Sequence, residues 1–209
     1  MRRKVYLNNY HNSLEKKLLD NFGAILIFAI SLPILLTISI LIYLFDGLPI
    51  LYKQKRTGLN GQSFWVIKFR SMVVNADEKK AKLMSLNEVE GPVFKIKDDP
   101  RFTGLGKLLS KTGLDELPQI MNVIKGEMSI VGPRPLPVEE SERLTKLDKT
   151  RLVVKPGITS TWVIKGSHEM PFKKWMELDR EYIEKATLTT DLEVIVRTMI
   201  LIGNFVLKL

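Results

Sequence analysis

The stretch FGAILIFAISLPILLTISILIYLF, residues 22–45, contains no charged side chain and decides the fold of this chain. A straight helix over these residues would be about 36 Å long, which is enough to cross the hydrocarbon core of a bilayer. The stretch is too long for the apolar part of a typical signal peptide, and no small-residue cleavage site follows it. The sequence therefore predicts a membrane helix.

The surroundings of this stretch favour a helix that enters and leaves the bilayer by the same face. Pro33 lies at its middle, where it removes a helical hydrogen bond and crowds the preceding turn, so we expect a kink. A spanning helix keeps its basic flank on one side, whereas here both flanks are basic. The basic residues are Arg2, Arg3, Lys4, Lys16 and Lys17 before the stretch, and Lys53, Lys55 and Arg56 after it. A single-pass anchor is the alternative.

The remainder of the 209 residues is richly charged. The chain contains no cysteine, which excludes disulfides and thiolate metal sites and fits a reducing cytoplasm. Its net charge of +9 indicates an anionic partner, which could be nucleic acid, anionic lipid or a phosphorylated substrate. The apolar stretch favours the last two.

Patterns after the apolar stretch predict a mixture of strands and helices. Two strand-like stretches, residues 50–52 and 64–69, flank Asn60-Gly61, a sequence typical of hairpin turns. Helical spacing then recurs, a strand or loop follows, and the apolar C-terminus is typical of a core or interfacial helix. The helical stretches are residues 105–110, 117–124, 138–147 and 191–209, and the strand or loop is 152–158.

Residues 114–119, Leu-Asp-Glu-Leu-Pro-Gln, place two carboxylates beside a proline. Because Pro118 is tolerated only near the first turn of a helix, we expect a helix to begin near Gly113 or Leu114, with Asp115 and Glu116 in its opening turn. Acidic residues stabilise helix N-termini by ~0.3–1 kcal/mol, and Glu116 could complete a capping box. The pair alone could therefore be structural.

The residues around the Asp115-Glu116 pair favour a catalytic role over a purely structural one. The helix dipole should keep Asp115 ionised, and an ionised carboxylate can attack phosphorus or hold a divalent metal. Arg134 follows in Gly132-Pro133-Arg134-Pro135, where the prolines limit the entropy lost when its guanidinium binds phosphate. Further cations are near in sequence, namely Arg101, Lys107 and Lys111. Gly-Pro-x-Pro can also be only a rigid turn, but together these residues indicate a phosphate site with a nucleophile.

In this combination the chain resembles the bacterial sugar transferase family, the monotopic polyprenyl-phosphate phosphoglycosyl transferases. The resemblance covers nearly the whole chain, from the membrane helix to residue 192. Its ordered matches are RTGLNG (56–61), FWVIKFRSM (64–72), DPR (99–101), LDELPQ (114–119), NVIKGEMS (122–129), VGPRP (131–135), KPGIT (155–159), Asp179 with Tyr182, and Asp191-Leu192.

The resemblance implies transfer of a sugar phosphate from a nucleotide sugar, usually a UDP-sugar, to polyprenyl (undecaprenyl) phosphate. This would be the first membrane step in making a capsule, exopolysaccharide, O-antigen or glycoprotein. Asp115 would attack the sugar-bearing phosphorus and form a covalent phosphosugar intermediate, with Glu116 assisting it. Both carboxylates are the implied ligands of Mg²⁺. Arg134 with Pro133 would bind phosphate, and the cations that would lend positive potential are Lys68, Arg70, Arg101 and Lys111.

Two stretches depart from the family pattern. Leu32 stands where the family usually has serine before the kink proline, so Ser31 would have to bond a freed carbonyl, or Pro33 would suffice. Residues 160–167 read STWVIKGS, with Val163 and Ser167 in place of the usual glutamine and arginine. This second departure could mean an unusual sugar or nucleotide preference.

The predicted fold class is α+β, with a compact helix-rich cytoplasmic body and a small β-hairpin. Its anchors are the re-entrant, Pro-kinked helix and amphipathic interfacial helices. Residues 1–46 would form the basic segment and membrane helix, and residues 47–209 the catalytic domain on the cytoplasmic face of the bacterial inner membrane. The expected partners are the nucleotide sugar, the polyprenyl phosphate and the bilayer, with a homodimer possible and no nucleic acid. The alternative is a basic membrane-anchored scaffold without catalysis, which leaves Asp115-Glu116 beside the Arg134 loop unexplained.

Overall fold

A computed structural model describes residues 6–166 and 170–207. The chain folds into helices and two small sheets, which is consistent with the predicted α+β class. The elements are α1 Leu14–Phe45, β1 Leu51–Thr57, β2 Ser63–Phe69, α2 Ala76–Lys82, α3 Gly104–Thr112, α4 Ile120–Ile124, β3 Ser129–Val131, α5 Val138–Glu142, β4 Gly157–Thr159, α6 Phe172–Lys185 and α7 Leu188–Val206. Short 3₁₀ helices occupy Asn9–Asn12, Leu59–Gly61, Met84–Leu86, Leu114–Gln119 and Asp148–Val153.

Helix α1 contains the apolar stretch, and among the described residues it is the one helix long and apolar enough to cross a membrane. The helix continues through Pro33 without interruption. The Ser31 hydroxyl donates to the Phe28 carbonyl at 3.2 Å, and not to Ala29, whose helical partner the proline removes. The expectation that Ser31 bonds the freed carbonyl is therefore wrong, and a kink that returns the helix to the same face stays a prediction.

One side of α1 packs on the body over nearly its whole length. Ala24 contacts the core cluster that includes Ile130, and Ile38 and Ile42 pack against Phe69. The buried side is Lys16, Asp20, Ala24, Ser31, Ile38 and Ile42. The opposite side exposes large apolar residues, among them Phe22, Ile25, Leu26, Ile30, Leu36, Ile40, Tyr43 and Leu44. The helix thus presents one continuous apolar flank to its surroundings.

Strands β1 and β2 form the predicted hairpin, paired from Leu51↔Phe69 to Thr57↔Ser63. Asn60 and Gly61 adopt φ of 54° and 79° in its loop, which is the left-handed region that this dipeptide tolerates. Strand β1 extends beyond the predicted residues 50–52, because its alternate side chains are half-buried on one face and exposed on the other. The half-buried side of β1 lines the cleft described below.

Strands β3 and β4 form a parallel pair, with Val131 opposite Thr159. Close backbone contact continues past the strand ends, since a Cβ on Gly132 would lie 2.6 Å from the Lys155 carbonyl oxygen. Both strands end at the same edge, so the Gly132–Pro135 segment and the segment that begins at Ser160 leave the sheet together. Helix α5 ends at Glu142, which corrects the predicted helical stretch 138–147.

A buried polar network joins the start of α1 to the end of β3 and to α7. The Lys16 ammonium donates to Asp191 Oδ2 at 2.7 Å and to the Val131 carbonyl at 3.1 Å. Two tyrosine hydroxyls also donate to Asp191, Tyr10 at 2.9 Å and Tyr182 at 2.7 Å. Lys16 is only 5% exposed, so it is a structural cation and not one of the free flanking charges assumed for the topology prediction.

Helix α7 confirms the predicted C-terminal helix. Val194 is buried against the core, whereas Leu192, Val196 and Met199 are exposed on the other side. Such an amphipathic helix can lie with its apolar side in a membrane interface. Its role as an interfacial anchor stays a prediction.

Candidate active site

Asp115 and Glu116 lie in the opening turn of the helix Leu114–Gln119, as predicted. This helix is 3₁₀, contains Pro118, and continues into α4. Gly113 connects α3 to it with φ of 73°, a conformation that favours glycine over any residue with a Cβ. The sharp reversal at Gly113 places the two carboxylates on the side of β2.

The Glu116 side chain binds Arg134 and does not cap the helix. Arg134 Nη1 donates to Glu116 Oε2 at 2.8 Å, and Nη2 donates to Oε1, so the pair is bidentate. The backbone N–H of Glu116 donates to the Gly113 carbonyl at 3.1 Å. The predicted capping box is therefore wrong, because the stronger charge-assisted partner engages both carboxylate oxygens.

A cleft opens beside this pair, between the hairpin, the 3₁₀ helix and the loop after β3. Its lining residues are Gln54, Arg56, Val66, Lys68, Glu116, Gln119, Arg134 and Pro135. Lys68 and Arg134, two of the predicted phosphate-binding residues, are brought together here with Glu116. Asp115, next to Glu116, is 5% exposed.

Arg56 belongs to the cleft, although the sequence analysis placed it in the basic flank of the membrane helix and in the family match 56–61 without giving it a role at the site. Its Nη1 donates to the Pro135 carbonyl at 2.7 Å, and its Nε donates to Gln54 Oε1 at 2.9 Å. Gln54 and Arg56 alternate on the half-buried face of β1, directly across from Val66 and its neighbours on β2. This period of two was the signal that could have identified Arg56 from the sequence.

The cleft perturbs the pKa of both carboxylates. Burial and the neighbouring Glu116 raise the pKa of Asp115 to about 7, although Lys68 and Arg134 act in the opposite direction. Burial would also raise the pKa of Glu116, but the bidentate Arg134 outweighs it and lowers that pKa below its usual range. Desolvation therefore opposes the expected stabilisation of the ionised Asp115 by the helix N-terminus and is the larger effect on its pKa.

The cations of the cleft crowd one another. Burial lowers the pKa of Lys68, and Arg56 and Arg134 lower it further. Burial and the charge of Arg134 lower the pKa of Arg56 to about 10. Three positive side chains thus share a partly desolvated space, and a multiply charged anion bound there would relieve their repulsion.

The other three predicted cations lie outside this cleft. Arg70 Nη2 donates to the Asp46 carbonyl at the end of α1, at 2.5 Å. Arg101 is buried in an ion pair with Asp99, with Nη2 to Oδ2 at 2.6 Å. Lys111 is exposed on the last turn of α3. Arg70 thus binds the backbone at the end of α1, and Arg101 binds a carboxylate of its own loop. These contacts do not support a phosphate-binding role for either arginine.

Backbone contacts fix the loop that carries Arg134. The Pro133 carbonyl accepts from the Gly157 N–H at 3.0 Å, which continues the contact between β3 and β4. The Arg134 carbonyl accepts from Arg151 Nη2 at 2.8 Å. With the Arg56 contact to Pro135, three successive carbonyls of the loop are bound. The predicted rigidity of this proline-flanked segment is thus supplied by tertiary hydrogen bonds as well as by the prolines.

The two carboxylates fit Mg²⁺ only in company with a substrate. In the described ranges, 6–166 and 170–207, no group of three or more histidine, cysteine or acidic side chains is arranged to hold a metal ion. Mg²⁺ in phosphoryl-transfer sites typically takes one or two carboxylates and completes its shell with phosphate oxygens and water. Each oxygen of Glu116 keeps a second lone pair beside Arg134. Asp115 and Glu116 therefore fit a magnesium site that a diphosphate would complete.

The stretch that departs from the family pattern packs mainly into the core. Trp162 is buried and stacks on Trp175, with ring centroids 4.7 Å apart at an interplanar angle of 13°. Val163 packs against the same cluster, and Ser167 lies outside the described residues. The predicted influence of this stretch on sugar preference stays a prediction.

Comparison of the sequence with known proteins gives one matching family and several relatives. The sequence model of the bacterial sugar transferase family matches residues 11–204. The chain is 40% identical over 203 residues, 93% of its length, to the galactosyl transferase CpsE of Streptococcus agalactiae serotype III, of which it covers 44%. It is 36% identical over 192 residues, 88% of its length, to the undecaprenyl-phosphate galactose phosphotransferase of Salmonella typhimurium, of which it covers 39%.

The name of a third relative specifies glucose, whereas the first two names specify galactose. The chain is 34% identical over 195 residues, 90% of its length, to the UDP-glucose:undecaprenyl-phosphate glucose-1-phosphate transferase of Xanthomonas campestris pv. campestris, of which it covers 38%. The chain thus spans less than half the length of these three relatives. The family match covers nearly all of its own residues, including both carboxylates and the Arg134 loop. The chain belongs to the bacterial sugar transferase family.

Proposed function

We propose that this protein transfers a sugar 1-phosphate from a nucleotide sugar, a UDP-sugar, to undecaprenyl phosphate through a covalent intermediate on Asp115. The observation that carries the proposal is the cleft in which Arg56, Lys68 and Arg134 crowd around the Asp115-Glu116 pair. An excess of cations beside a carboxylate fits a diphosphate substrate and a nucleophile for it. The names of the relatives supply the donor and acceptor classes.

In the first step, a carboxylate oxygen of Asp115 forms a bond to the phosphorus that bears the sugar. The bond from that phosphorus to the bridging oxygen of the diphosphate breaks, and the nucleoside monophosphate leaves with the electron pair. Asp115 must be ionised to attack, and the positive charge of Lys68 and Arg134 favours that state. The result is a phosphosugar–aspartyl intermediate.

In the second step, a phosphate oxygen of undecaprenyl phosphate attacks the same phosphorus. The bond to Asp115 breaks, and the carboxylate is regenerated without net proton transfer. Arg134 binds the equatorial oxygens during both steps, and Glu116 holds its guanidinium fork in place. Asp115 and Glu116 would hold Mg²⁺, which when bound neutralises part of the diphosphate charge.

The same proposal places the protein in the inner membrane with its active site at the cytoplasmic face. Support comes from α1, whose buried side meets the body both at Lys16 and at Ile42, about 39 Å apart at ~1.5 Å per residue. A perpendicular span would draw the charged body into the hydrocarbon core, which is costly. A re-entrant helix with its exposed apolar flank toward lipid avoids that cost.

The packing of Leu114 supports an active site at headgroup depth. Leu114 packs against the cluster formed by Ile38, Ile42, Phe69 and Leu109, so the residue before the nucleophile shares an apolar cluster with α1. A lipid phosphate at the interface would then lie near Asp115. This proximity suits an acceptor whose phosphate cannot leave the membrane surface.

The test is transfer of labelled sugar phosphate from a panel of UDP-sugars to undecaprenyl phosphate by the full chain in lipid nanodiscs. We expect turnover with at least one sugar, and its loss when EDTA removes Mg²⁺. No transfer from any donor by folded protein would refute the proposed reaction.

The topology has a test of its own. Single cysteines placed before Lys17 and after Lys53, in this otherwise cysteine-free chain, should both react only with reagents that reach the cytoplasm. Reaction of one of them from outside the cell would restore the spanning helix.

A further inference from the structure

An ion pair between two almost fully buried side chains lies beside the backbone of Arg134. Arg151 belongs to the 3₁₀ helix Asp148–Val153 and is 4% exposed, and Asp179 belongs to α6 and is 1% exposed. Arg151 binds Asp179 Oδ2 through Nε at 2.9 Å and Nη2 at 2.7 Å. The same Nη2 donates to the Arg134 carbonyl at 2.8 Å.

Stability alone does not explain a pair buried this deeply. Removing two charges from water costs several kcal/mol per ion, and apolar residues of similar volume usually serve a core as well or better. What an apolar pair cannot supply is a directed hydrogen bond to a backbone carbonyl. In this protein that carbonyl belongs to Arg134, whose side chain reaches Glu116 in the cleft.

The hydrogen bond from Arg151 fixes the backbone of Arg134, whose guanidinium is the phosphate-binding group. A guanidinium that must meet phosphate oxygens in two places tolerates little displacement, on the order of 0.5 Å. The neighbouring carbonyls of Pro133 and Pro135 are held by Gly157 and Arg56. Arg151 therefore holds the central carbonyl of the three, and Asp179 holds Arg151.

We infer that Arg151 and Asp179 are positioning residues, which act on the bound phosphates only through Arg134. This rests on the proposed function, in which Arg134 binds the phosphates of the donor. Within the part of the chain that the structure describes, Arg134 is the one residue lining the Glu116 side of the cleft to which the pair makes a side-chain hydrogen bond or ion pair.

The chain offers a matched control for this inference. Arg180 and Asp148 join the same two elements, α6 and the 3₁₀ helix, with Nη1 to Oδ1 at 3.0 Å. Their polarity is reversed, since the arginine lies on α6 and the aspartate on the 3₁₀ helix. In the described residues their other side-chain partner is Thr145, not the Arg134 loop. Breaking this pair loosens the same interface without touching the carbonyl.

The experiment measures the affinity of the full chain in nanodiscs for inorganic pyrophosphate by titration calorimetry. The double variant Arg151→Met/Asp179→Leu replaces the pair by apolar residues, so the fold should be kept. We expect its Kd to rise about ten-fold or more, as when groups that orient a ligand-binding side chain are removed. The control Arg180→Met/Asp148→Leu should stay within about two-fold of wild type.

A double-mutant cycle separates positioning from general loosening. In an Arg134→Ala background, the Arg151→Met/Asp179→Leu change should raise the Kd by less than about two-fold, because the residue that it positions is gone. An undiminished effect in that background overturns the inference, as does an equal loss in the Arg180–Asp148 control. An unchanged Kd in the otherwise wild-type background overturns it too.

Two further measurements keep the result interpretable. If the double variant does not fold, Arg151→Lys is measured in its place. One ammonium cannot hold the Asp179 carboxylate and the Arg134 carbonyl in the same geometry, so we expect a raised Kd. An unchanged Kd for folded Arg151→Lys contradicts the inference. Pyrophosphate binding does not require turnover. If pyrophosphate affinity depends on Arg151 and Arg134 as predicted but the wild-type protein transfers no sugar phosphate, the proposed reaction is refuted and the positioning role stands.

Discussion

Two clusters of buried charge in this protein both combine cations with carboxylates, but only one of them pairs every cation. At the start of α1, Lys16 is surrounded by Asp191 at 2.7 Å and Asp20 at 3.4 Å, and Tyr10 also donates to Asp191. In the cleft, Glu116 is the single carboxylate bound by a cation, and Arg134 takes both of its oxygens. In residues 6–166 and 170–207, no ion pair joins Lys68 or Arg56 to a carboxylate.

The difference separates a structural cluster from a binding site. Around Lys16 every charge faces an opposite charge or a hydroxyl donor, so nothing is left to attract a ligand. In the cleft, burial and mutual repulsion lower the pKa of both Lys68 and Arg56. An excess of positive charge in a half-buried space is stabilised by an anion from outside. Substitutions in each cluster test this difference.

The largest effect is expected for the nucleophile. Asp115→Asn should lower turnover by about a thousand-fold or more, because an amide cannot form the covalent bond. The melting temperature should stay equal or rise, since a buried carboxylate with a raised pKa is replaced by a neutral group. Transfer assays and calorimetric melting of the same preparation measure both quantities. If the melting temperature fell together with the activity, Asp115 would be a structural residue like those around Lys16.

The structural cluster should respond in the opposite way. Asp191→Asn removes the main partner of buried Lys16 and should cost about 3 kcal/mol or more of unfolding free energy. Turnover per folded molecule should change little. Asp148→Asn, in the part-exposed pair with Arg180, is the control and should cost below about 1 kcal/mol. Denaturant titrations followed by fluorescence of the tryptophans measure the difference; equal costs would contradict the comparison.

Arg134→Lys tests the bidentate contact. Lysine keeps the charge but loses the planar fork, so we expect kcat/KM to fall roughly ten- to a hundred-fold. Stability should remain nearly unchanged, because the Arg134 side chain is partly exposed. Steady-state kinetics over a range of donor concentrations is the measurement. A lysine variant with full activity would show that charge alone, without geometry, binds the donor.

The smallest effects distinguish cations inside the cleft from cations outside it. Lys68→Ala should raise the KM for the donor by about ten-fold, because Lys68 lies within reach of Asp115 and Glu116. Lys111→Ala should change it by less than about two-fold, because Lys111 is exposed outside the cleft. Comparable losses in the two variants would mean that overall charge, and not the cleft, governs donor binding.

The sequence predicted those parts of the fold that rest on local signals. The apolar stretch predicted α1, Asn60-Gly61 predicted the hairpin, and the position of Pro118 predicted that Asp115 and Glu116 lie in an opening turn. Each of these depends on residues that are neighbours along the chain. The bidentate Arg134–Glu116 pair is different, since the sequence placed both residues at one phosphate site but did not predict that their side chains bind each other.

The cations were predicted less well, because proximity in sequence does not give the direction of a side chain. Arg101 is close to Asp115 along the chain but turns to Asp99 and stacks over Phe94. Arg56 is far from Asp115 in sequence and reaches the cleft only because β1 pairs with β2. Lys16 was counted as a free flanking charge, and the partner that buries it, Asp191, comes from the other end of the chain.

The covalent mechanism is tested most directly by a search for the phosphosugar–aspartyl intermediate. The full chain in nanodiscs would be incubated with a labelled UDP-sugar that it turns over, without undecaprenyl phosphate, and digested for peptide mass analysis. We expect a sugar-phosphate adduct on the peptide that contains Asp115, absent in Asp115→Asn and removed when undecaprenyl phosphate is added. An adduct that persists in Asp115→Asn, or full turnover by that variant, would contradict this mechanism.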